Sequence, residues 1–111
     1  MPLETDLRKG SVRALILGLL HAQPMYGYQL SKELQRRSQG FFEFKEGTLY
    51  PALHRLEREG LVRGEWQAVD EGRSRKVYHL TEQGRAELAR TRQEWTAFAG
   101  QLLALLGSGE R

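Results

Sequence analysis

Apolar side chains recur at helical spacing in four stretches of this chain, and one further region has the pattern of two short strands. The helical stretches cover residues 11–22, 25–37, 46–60 and 82–106. The strands cover residues 61–67 and 75–80, with a loop over 68–74 between them. Before the third helix, Phe42 and Phe44 alternate as in an extended segment that seals a small core. The pattern predicts three helices, a β-hairpin and a last, long helix.

The chain starts with a polar segment, residues 1–10, in which Arg8 and Lys9 stand just before a turn. Ser11 is a suitable N-cap for the first helix, whose inner face carries Leu15 and Leu19. We expect residues 1–10 to form an arm. The arm is either a frayed terminus or a basic segment that touches phosphate or packs against a partner subunit.

The third helix has one apolar face, formed by Leu49, Ala52, Leu53 and Leu56. Thr48 is predicted to cap its start, which would place Pro51 in the first turn, where a missing N–H costs little. Gly60 is predicted to end the helix in the left-handed conformation, with Leu61 folding back onto the last turn.

The opposite face of the third helix is basic and aromatic, and carries Gly47, Pro51, His54, Arg55 and Arg58. An ordinary surface helix with a solvated face would explain these residues by themselves. However, a second amphipathic helix precedes this one and a basic hairpin follows it. The grouping indicates a winged helix-turn-helix, whose third helix enters the major groove of DNA.

Cations also mark the two neighbouring elements. The second helix carries Lys32, Arg36 and Arg37 on its polar side, where they suit phosphate contacts, although a solvated face explains them nearly as well. The hairpin holds Arg73, Arg75 and Lys76 within four residues. In a winged helix such a hairpin is the wing, which lies on the DNA backbone or in the minor groove. The acidic residues Asp70 and Glu71 weaken the signal at its tip.

Thr81 is predicted to cap the last helix, which would be about 40 Å long and therefore longer than the rest of the domain can cover. An apolar stripe follows it at heptad spacing, formed by Leu88, Trp95, Phe98, Leu102 and Leu105. A stripe exposed on a monomer indicates an interaction surface, here for a second copy; the alternative is a helix folded back over its own domain. The predicted division is an arm (1–10), a DNA-binding domain (11–80), a dimerisation helix (81–106) and a disordered tail (107–111).

Composition narrows the function classes. Seventeen Lys and Arg against 14 acidic residues give a net charge of +3, a mild excess in which placement matters more than the total. The chain has no cysteine, and its three histidines are scattered over different elements. We therefore expect no enzyme activity, no metal and no cofactor. No apolar run is long enough for a membrane span and no signal peptide is evident, so we expect a cytoplasmic protein.

Several motifs together resemble the PadR family of transcriptional regulators, in its short form with a single C-terminal helix. The matching blocks are Met25-Tyr26-Gly27-Tyr28-Gln29-Leu30, Glu46-Gly47-Thr48-Leu49-Tyr50-Pro51-Ala52-Leu53-His54-Arg55-Leu56-Glu57 with Gly60-Leu61, and Gly72-Arg73-Ser74-Arg75-Lys76-Val77-Tyr78 with Leu80-Thr81-Glu82-Gln83-Gly84. The resemblance implies a homodimeric repressor whose affinity for its operator falls when an effector binds. It implies DNA contacts by Thr48, Tyr50 and Pro51 and by the wing cations. Asp70-Glu71 departs from the neutral or basic wing tips common in the family.

The sequence thus predicts a mainly α fold with a small β-hairpin wing and a long C-terminal helix. The predicted partners are double-stranded DNA, a second copy of the chain and an aromatic effector, which the resemblance places at Trp95 with Phe98 beside it. A winged helix that serves only as a protein-interaction module is the alternative, which the basic face argues against. The predicted DNA contacts are Lys32, Arg36, Thr48, Tyr50, Pro51, His54, Arg55, Arg58, Arg73, Arg75 and Lys76.

Overall fold

The computed structural model describes residues 2–107, with side chains described from Gly10 onward, and has four helices and a three-stranded antiparallel sheet over that range. The predicted fold class is confirmed. In chain order the elements are α1 (Pro2–Ala22), β1 (Met25–Tyr26), α2 (Gly27–Arg37), α3 (Glu46–Arg58), β2 (Val62–Asp70), β3 (Arg73–Leu80) and α4 (Glu82–Leu106).

The core lies where α1 packs against the other three helices and the sheet. Ile16 and Leu17 of α1, Leu30 of α2 and Leu53 of α3 are completely buried there. Phe44 joins this core and Phe42 stacks beside it at a ring-centroid distance of 6.2 Å, as the alternation of these two residues predicts. Burial of these side chains holds α3 against α1 and α2.

The first helix is longer than the sequence predicts. It begins at Pro2, so the start predicted at Ser11 is wrong, and residues 2–10 belong to α1 rather than to an arm. Gly10 and Ser11 are weak helix formers, but each costs only about 1 kcal/mol or less, too little to end a helix that continues on both sides. Residues 108–111 of the predicted disordered tail lie outside the described part of the chain.

A two-residue strand precedes the second helix, although the sequence predicts that this helix itself starts at Met25. Met25 pairs with Tyr78 and Tyr26 with Val77, so β1 joins the hairpin in the order β1-β3-β2. The prediction was wrong because two residues are too few to show a strand period. Helix α2 starts at Gly27.

The ends of α3 are set partly as predicted. Its N-cap is Lys45, whose carbonyl accepts bonds from the Thr48 and Leu49 N–H groups, both at 2.9 Å. Thr48 is therefore not the cap, and Pro51 lies in the second turn, on the exposed side. The C-terminal prediction is confirmed. Gly60 has φ +79°, and the Leu61 N–H donates to the Leu56 carbonyl at 3.0 Å in a Schellman motif.

Strands β2 and β3, which form the wing, extend farther than predicted. They run to Asp70 and from Arg73, with a turn at Glu71-Gly72 in which Gly72 has φ +70°. The register shifts between Ala68 and Asp70, a bulge next to the tip. The outer part of the hairpin has polar residues on both faces and so lacks the alternation that marks a strand. The sequence pattern therefore does not show this extension.

Helix α4 is capped as predicted, because the Gly84 N–H donates to the Thr81 hydroxyl oxygen at 3.0 Å. Its first turns pack on the domain through Leu88 and Thr91, which are 6% and 8% exposed. All side chains from Arg92 to Gly107 are exposed. The distal half of α4 thus extends from the domain, and the molecule measures 62 × 29 × 22 Å.

Candidate nucleic-acid interface

A cleft of about 340 Å³ lies between α3 and the wing. Two predicted DNA contacts on α3, Tyr50 and His54, face two on β3, Arg75 and Lys76. The remaining lining comes from Tyr26, Gly27, Trp66 and Tyr78. Residues that are 21 or more positions apart in the sequence are thus brought to one basic, aromatic surface.

Tyr50 is positioned by the start of α2. Its ring packs on Gly27, where a Cβ atom would overlap the ring and its hydroxyl oxygen. Tyr50 is half-buried at the margin of the core, and its ring centroid lies 6.4 Å from that of His54. Any larger residue at position 27 would have to displace the Tyr50 ring, so glycine there lets α3 place Tyr50 against the start of α2.

Arg75 is held across the cleft by a ring rather than by a carboxylate. Its guanidinium carbon lies 4.1 Å from the centroid of the Tyr26 ring, a cation–π contact that leaves the charge unneutralised. Lys32 makes a similar contact on α2, with its Nζ 5.3 Å from the Tyr28 ring centroid. Both cations remain available to an anion.

Other predicted cations are paired with carboxylates. Arg36 donates to Glu33 at 2.8 Å, Arg73 lies 3.5 Å from Asp70, and Lys76 donates to Glu57 at 2.9 Å. Hydrogen bonds from Arg36 and then Arg37 lower the pKa of Glu33 to about 2. Arg36 and Arg73 are 69% and 75% exposed, so their pairs are weak and readily exchanged. Lys76, at 25%, is far less accessible.

The remaining predicted contacts on α3 do not line the cleft. Pro51 and Arg55 border a different cavity, about 280 Å³, on the side of α3 that faces Val12 and Arg13 of α1. Arg58 is exposed near the end of the helix, and Thr48 is half-buried at its start. The hydrogen bond from Arg13 lowers the pKa of the Glu59 carboxyl, and Arg55 and Arg58, which make no ion pair within the described residues, lie near enough to lower it further.

Four residues of the cleft are absent from the predicted site: Tyr26, Gly27, Trp66 and Tyr78. Trp66 is 66% exposed and lies opposite Lys76 on the wing, although its apolar character predicts a place in the core. Tyr26 supplies the ring under Arg75. The residues two positions before and after Trp66, which share its face of the strand, are Gly64 and Ala68; the lack of a large apolar side chain there is the available signal for an exposed tryptophan. Nothing in the sequence indicates the position of Tyr26.

Not every residue of the apolar stripe predicted for dimerisation is exposed in the structure. Leu88 belongs to the chain's own core and is not accessible to a partner, because α4 leaves the domain only after Thr91. Trp95, Phe98, Leu102 and Leu105 are 39%, 53%, 42% and 85% exposed, and Leu103 and Leu106 add to this surface. The Trp95 and Phe98 rings meet edge to face at 6.0 Å and line, with Glu94, an open cavity of about 310 Å³.

Neither a membrane-spanning helix nor a metal-binding cluster is found among the described residues. No helix among them has the length and apolar character needed to cross a membrane. Among the same residues, histidines and acidic side chains do not gather in a group of three that could hold a metal ion.

A helix-turn-helix followed by a basic hairpin and a projecting C-terminal helix defines the class of winged-helix transcriptional regulators. Residues 16–90 match the model of the transcriptional regulator PadR-like family, and the chain belongs to that family. Its members are transcriptional regulators, which are not enzymes. The predicted family is confirmed.

Individual relatives agree with this assignment. The chain is 38% identical over 98 residues to a transcriptional regulator of Mycobacterium tuberculosis, with 88% of each chain covered. It is similar to the crystal structure of a PadR family transcriptional regulator from Eggerthella lenta, with a TM-score of 0.85, 30% identity, and 97% and 92% of the two chains covered. A transcriptional regulator from Clostridium thermocellum also has a TM-score of 0.85, at 28% identity, with 92% and 99% covered.

Proposed function

We propose that the protein is a sequence-specific DNA-binding repressor that binds a pseudo-palindromic operator as a homodimer. The observation that carries the proposal is the cleft between α3 and the wing, where Tyr50, His54 and Arg75 converge on one exposed surface. A winged helix places its third helix in the major groove and its hairpin on the adjoining backbone. The cleft then lies where one sugar–phosphate strand passes between the two.

The proposed contacts divide by position. On α3, Thr48, Tyr50, Pro51 and His54 lie in the first three turns and meet base edges or the nearby backbone. The phosphate contacts come from cations around that helix, whose charge attracts DNA independently of sequence. These cations are Lys32, Arg36, Arg55, Arg58, Arg73 and Arg75. Because such a regulator acts on chromosomal DNA, we place it in the cytoplasm.

We also propose that the distal half of α4 joins two copies of the chain. Trp95, Phe98, Leu102 and Leu105 form an apolar surface that a soluble monomer would leave in water. Burial of each large side chain contributes about 1.5–3 kcal/mol to association. A dimer also solves a problem of specificity, since one α3 contacts too few base pairs to select a single promoter.

The effector site in this proposal lies between the two α4 helices. The cavity beside Trp95 and Phe98 is a shallow hollow on one helix of the single chain, so a second copy would be needed to enclose a flat aromatic molecule there. Repacking of α4 around that molecule would change the spacing of the two α3 helices and release DNA. Tryptophan emission should respond to such a ligand in the wild type and not in Trp95→Phe. A response that survives this substitution places the ligand elsewhere, and Trp66 is the residue to check.

Salt dependence of DNA binding tests the function. We expect the affinity for DNA flanking the protein's own gene to fall steeply with salt, and the Arg73→Ala/Arg75→Ala variant to bind weakly with a slope reduced by about one unit per lost phosphate contact. Arg63→Ala is the control. Arg63 lies three positions before the cleft residue Trp66, and therefore on the opposite face of β2. Unchanged affinity of the double variant contradicts the wing contacts. An absence of salt-dependent DNA binding favours a protein-interaction module.

A further inference from the structure

Lys76 is directed away from solvent by a contact with α3. Its Nζ donates to Glu57 Oε1 at 2.9 Å, and the second carboxylate oxygen of Glu57 accepts the Gly64 N–H at 3.3 Å. One carboxylate near the end of α3 therefore bonds both strands of the wing. The side chains of Lys76 and Glu57 are only 25% and 31% exposed, less than the other paired cations of this surface.

The path of the Lys76 side chain depends on Gly64. A Cβ atom at position 64 would overlap the Lys76 Cε and approach Glu57 Oε2 to 2.9 Å. The lysine stem thus crosses the wing in the space that any other residue would fill. Two rings flank the ammonium group, with centroids 5.5 Å away in Tyr78 and 6.0 Å away in Trp66. The hydrogen bond to Glu57 raises the pKa of Lys76, as expected for an ammonium group paired with a carboxylate.

The arrangement explains the orientation of the wing. Strand β2 leaves α3 through the turn at Gly60, and the base of the hairpin is anchored by the pairing of β3 with β1 and by the buried side chains of Val62, Tyr78 and Leu80. Beyond that base, the tilt of the hairpin against α3 is limited by the contact of Glu57 with both strands, together with the contact of Arg75 with the Tyr26 ring. The contact of Glu57 with Lys76 and Gly64 lies a few residues beyond the turn. A small tilt there becomes a large displacement of Arg73 and Arg75 at the far end.

We infer that Glu57, Gly64 and Lys76 form a clamp that fixes the wing against α3, and that Lys76 acts on DNA binding by positioning the wing and not by contacting phosphate. This inference rests on the proposed DNA-binding function and changes the role expected for Lys76. The two roles predict opposite changes in DNA affinity when the Glu57 carboxylate is removed. A phosphate-binding Lys76 competes with Glu57, so removal of the carboxylate frees it and tightens binding. In the clamp, the same removal loosens the wing and weakens binding.

Three single variants break the clamp in different ways. Glu57→Ala removes the acceptor, Lys76→Met keeps most of the stem without the charge, and Gly64→Ala displaces the lysine without changing any charge. Each is expected to weaken operator binding roughly tenfold. The Glu57→Ala/Lys76→Met double variant is expected to bind no more weakly than the weaker single variant, because the second change acts on a contact already lost.

Glu71→Ala is the matched control, since it removes the same charge from the wing tip and should leave DNA binding equal or tighter. Circular dichroism of every variant checks that the fold is retained. Tighter or unchanged binding by Glu57→Ala and Gly64→Ala, with weaker binding by Lys76→Met alone, overturns the clamp and makes Lys76 a phosphate contact.

A measurement without DNA separates this inference from the proposed function. In the free protein, the Gly64 amide should exchange with solvent faster in Glu57→Ala than in the wild type or Glu71→Ala, because its acceptor is gone and the wing moves. Equal exchange rates overturn the clamp. If the wild type binds no DNA, the proposed function fails while the exchange rates still decide whether the clamp exists.

Discussion

Tyr50 occupies the boundary between the core and the proposed DNA surface. The hydroxyl end of its ring rests on Gly27, and the residue lines the cleft together with His54. Side chains in such positions contribute to packing without being essential to it, since the fully buried neighbours Leu49 and Leu53 hold α3 in place.

Tyr50→Ala should therefore lower operator affinity while the protein stays folded. Circular dichroism and thermal unfolding measure the second part, and Tyr28→Ala is a control because Tyr28 is an exposed tyrosine of α2 that does not line the cleft. A collapsed spectrum for Tyr50→Ala, with a normal one for Tyr28→Ala, would show that Tyr50 is a core residue.

At the residue scale, the sequence predicts what depends on local chemistry. Thr81 and Gly60 were correctly assigned as a helix cap and a left-handed terminator, because both roles are decided within a few residues. The pairing of Lys76 with Glu57, 19 positions earlier, depends on how the wing folds over α3. A count of cations in the sequence cannot show that one of them is already bound to a carboxylate.

At the scale of elements, α2 carries an acid-sensitive contact in its last turns. Arg36 and Arg37 both donate to Glu33, and these bonds lower the pKa of Glu33 from 4.5 to about 2. A carboxylate with a depressed pKa adds stability that is complete above its unfolded value and is lost as the pH falls through the folded value.

Glu33→Gln should accordingly lower the unfolding temperature at neutral pH by a small amount, since the pairs are exposed and screened by solvent, and its difference from the wild type should shrink as the pH falls from 4.5 to about 2. Thermal unfolding of both proteins over that range measures it. Glu43→Gln serves as a control, because Glu43 is an exposed residue of the segment before α3 and lies outside any helix. A difference independent of pH would show that the ion pairs are not its source.

Elements with a sustained period were predicted well, and those without one were not. The apolar faces of α3 and α4 predicted these two helices correctly. Strand β1 has only two residues, Met25 and Tyr26, and forms through its pairing with β3. The start of α1 and the inward position of Leu88 also depend on packing between elements. A heptad stripe on α4 cannot by itself show where the helix leaves its own domain.

The whole molecule has two surfaces at different ends of α4. The cleft and α3 lie on the compact domain, while Phe98, Leu102 and Leu105 extend from it over about half of a helix that is roughly 38 Å long. In the proposed dimer, the projecting halves pair and set the distance between two copies of α3. Specific DNA binding is then a property of the pair, since neither copy alone contacts a whole operator.

Footprinting on the DNA that flanks the protein's own gene tests this account most directly, with Phe98→Glu/Leu102→Glu compared in parallel. We predict two protected half-sites about 34–36 Å apart on one face of the duplex for the wild type. The variant should protect neither, because buried glutamates prevent α4 from pairing, and its sedimentation should give the 12.8 kDa mass of one chain. A single protected tract, or equal protection by a monomeric variant, would contradict the account.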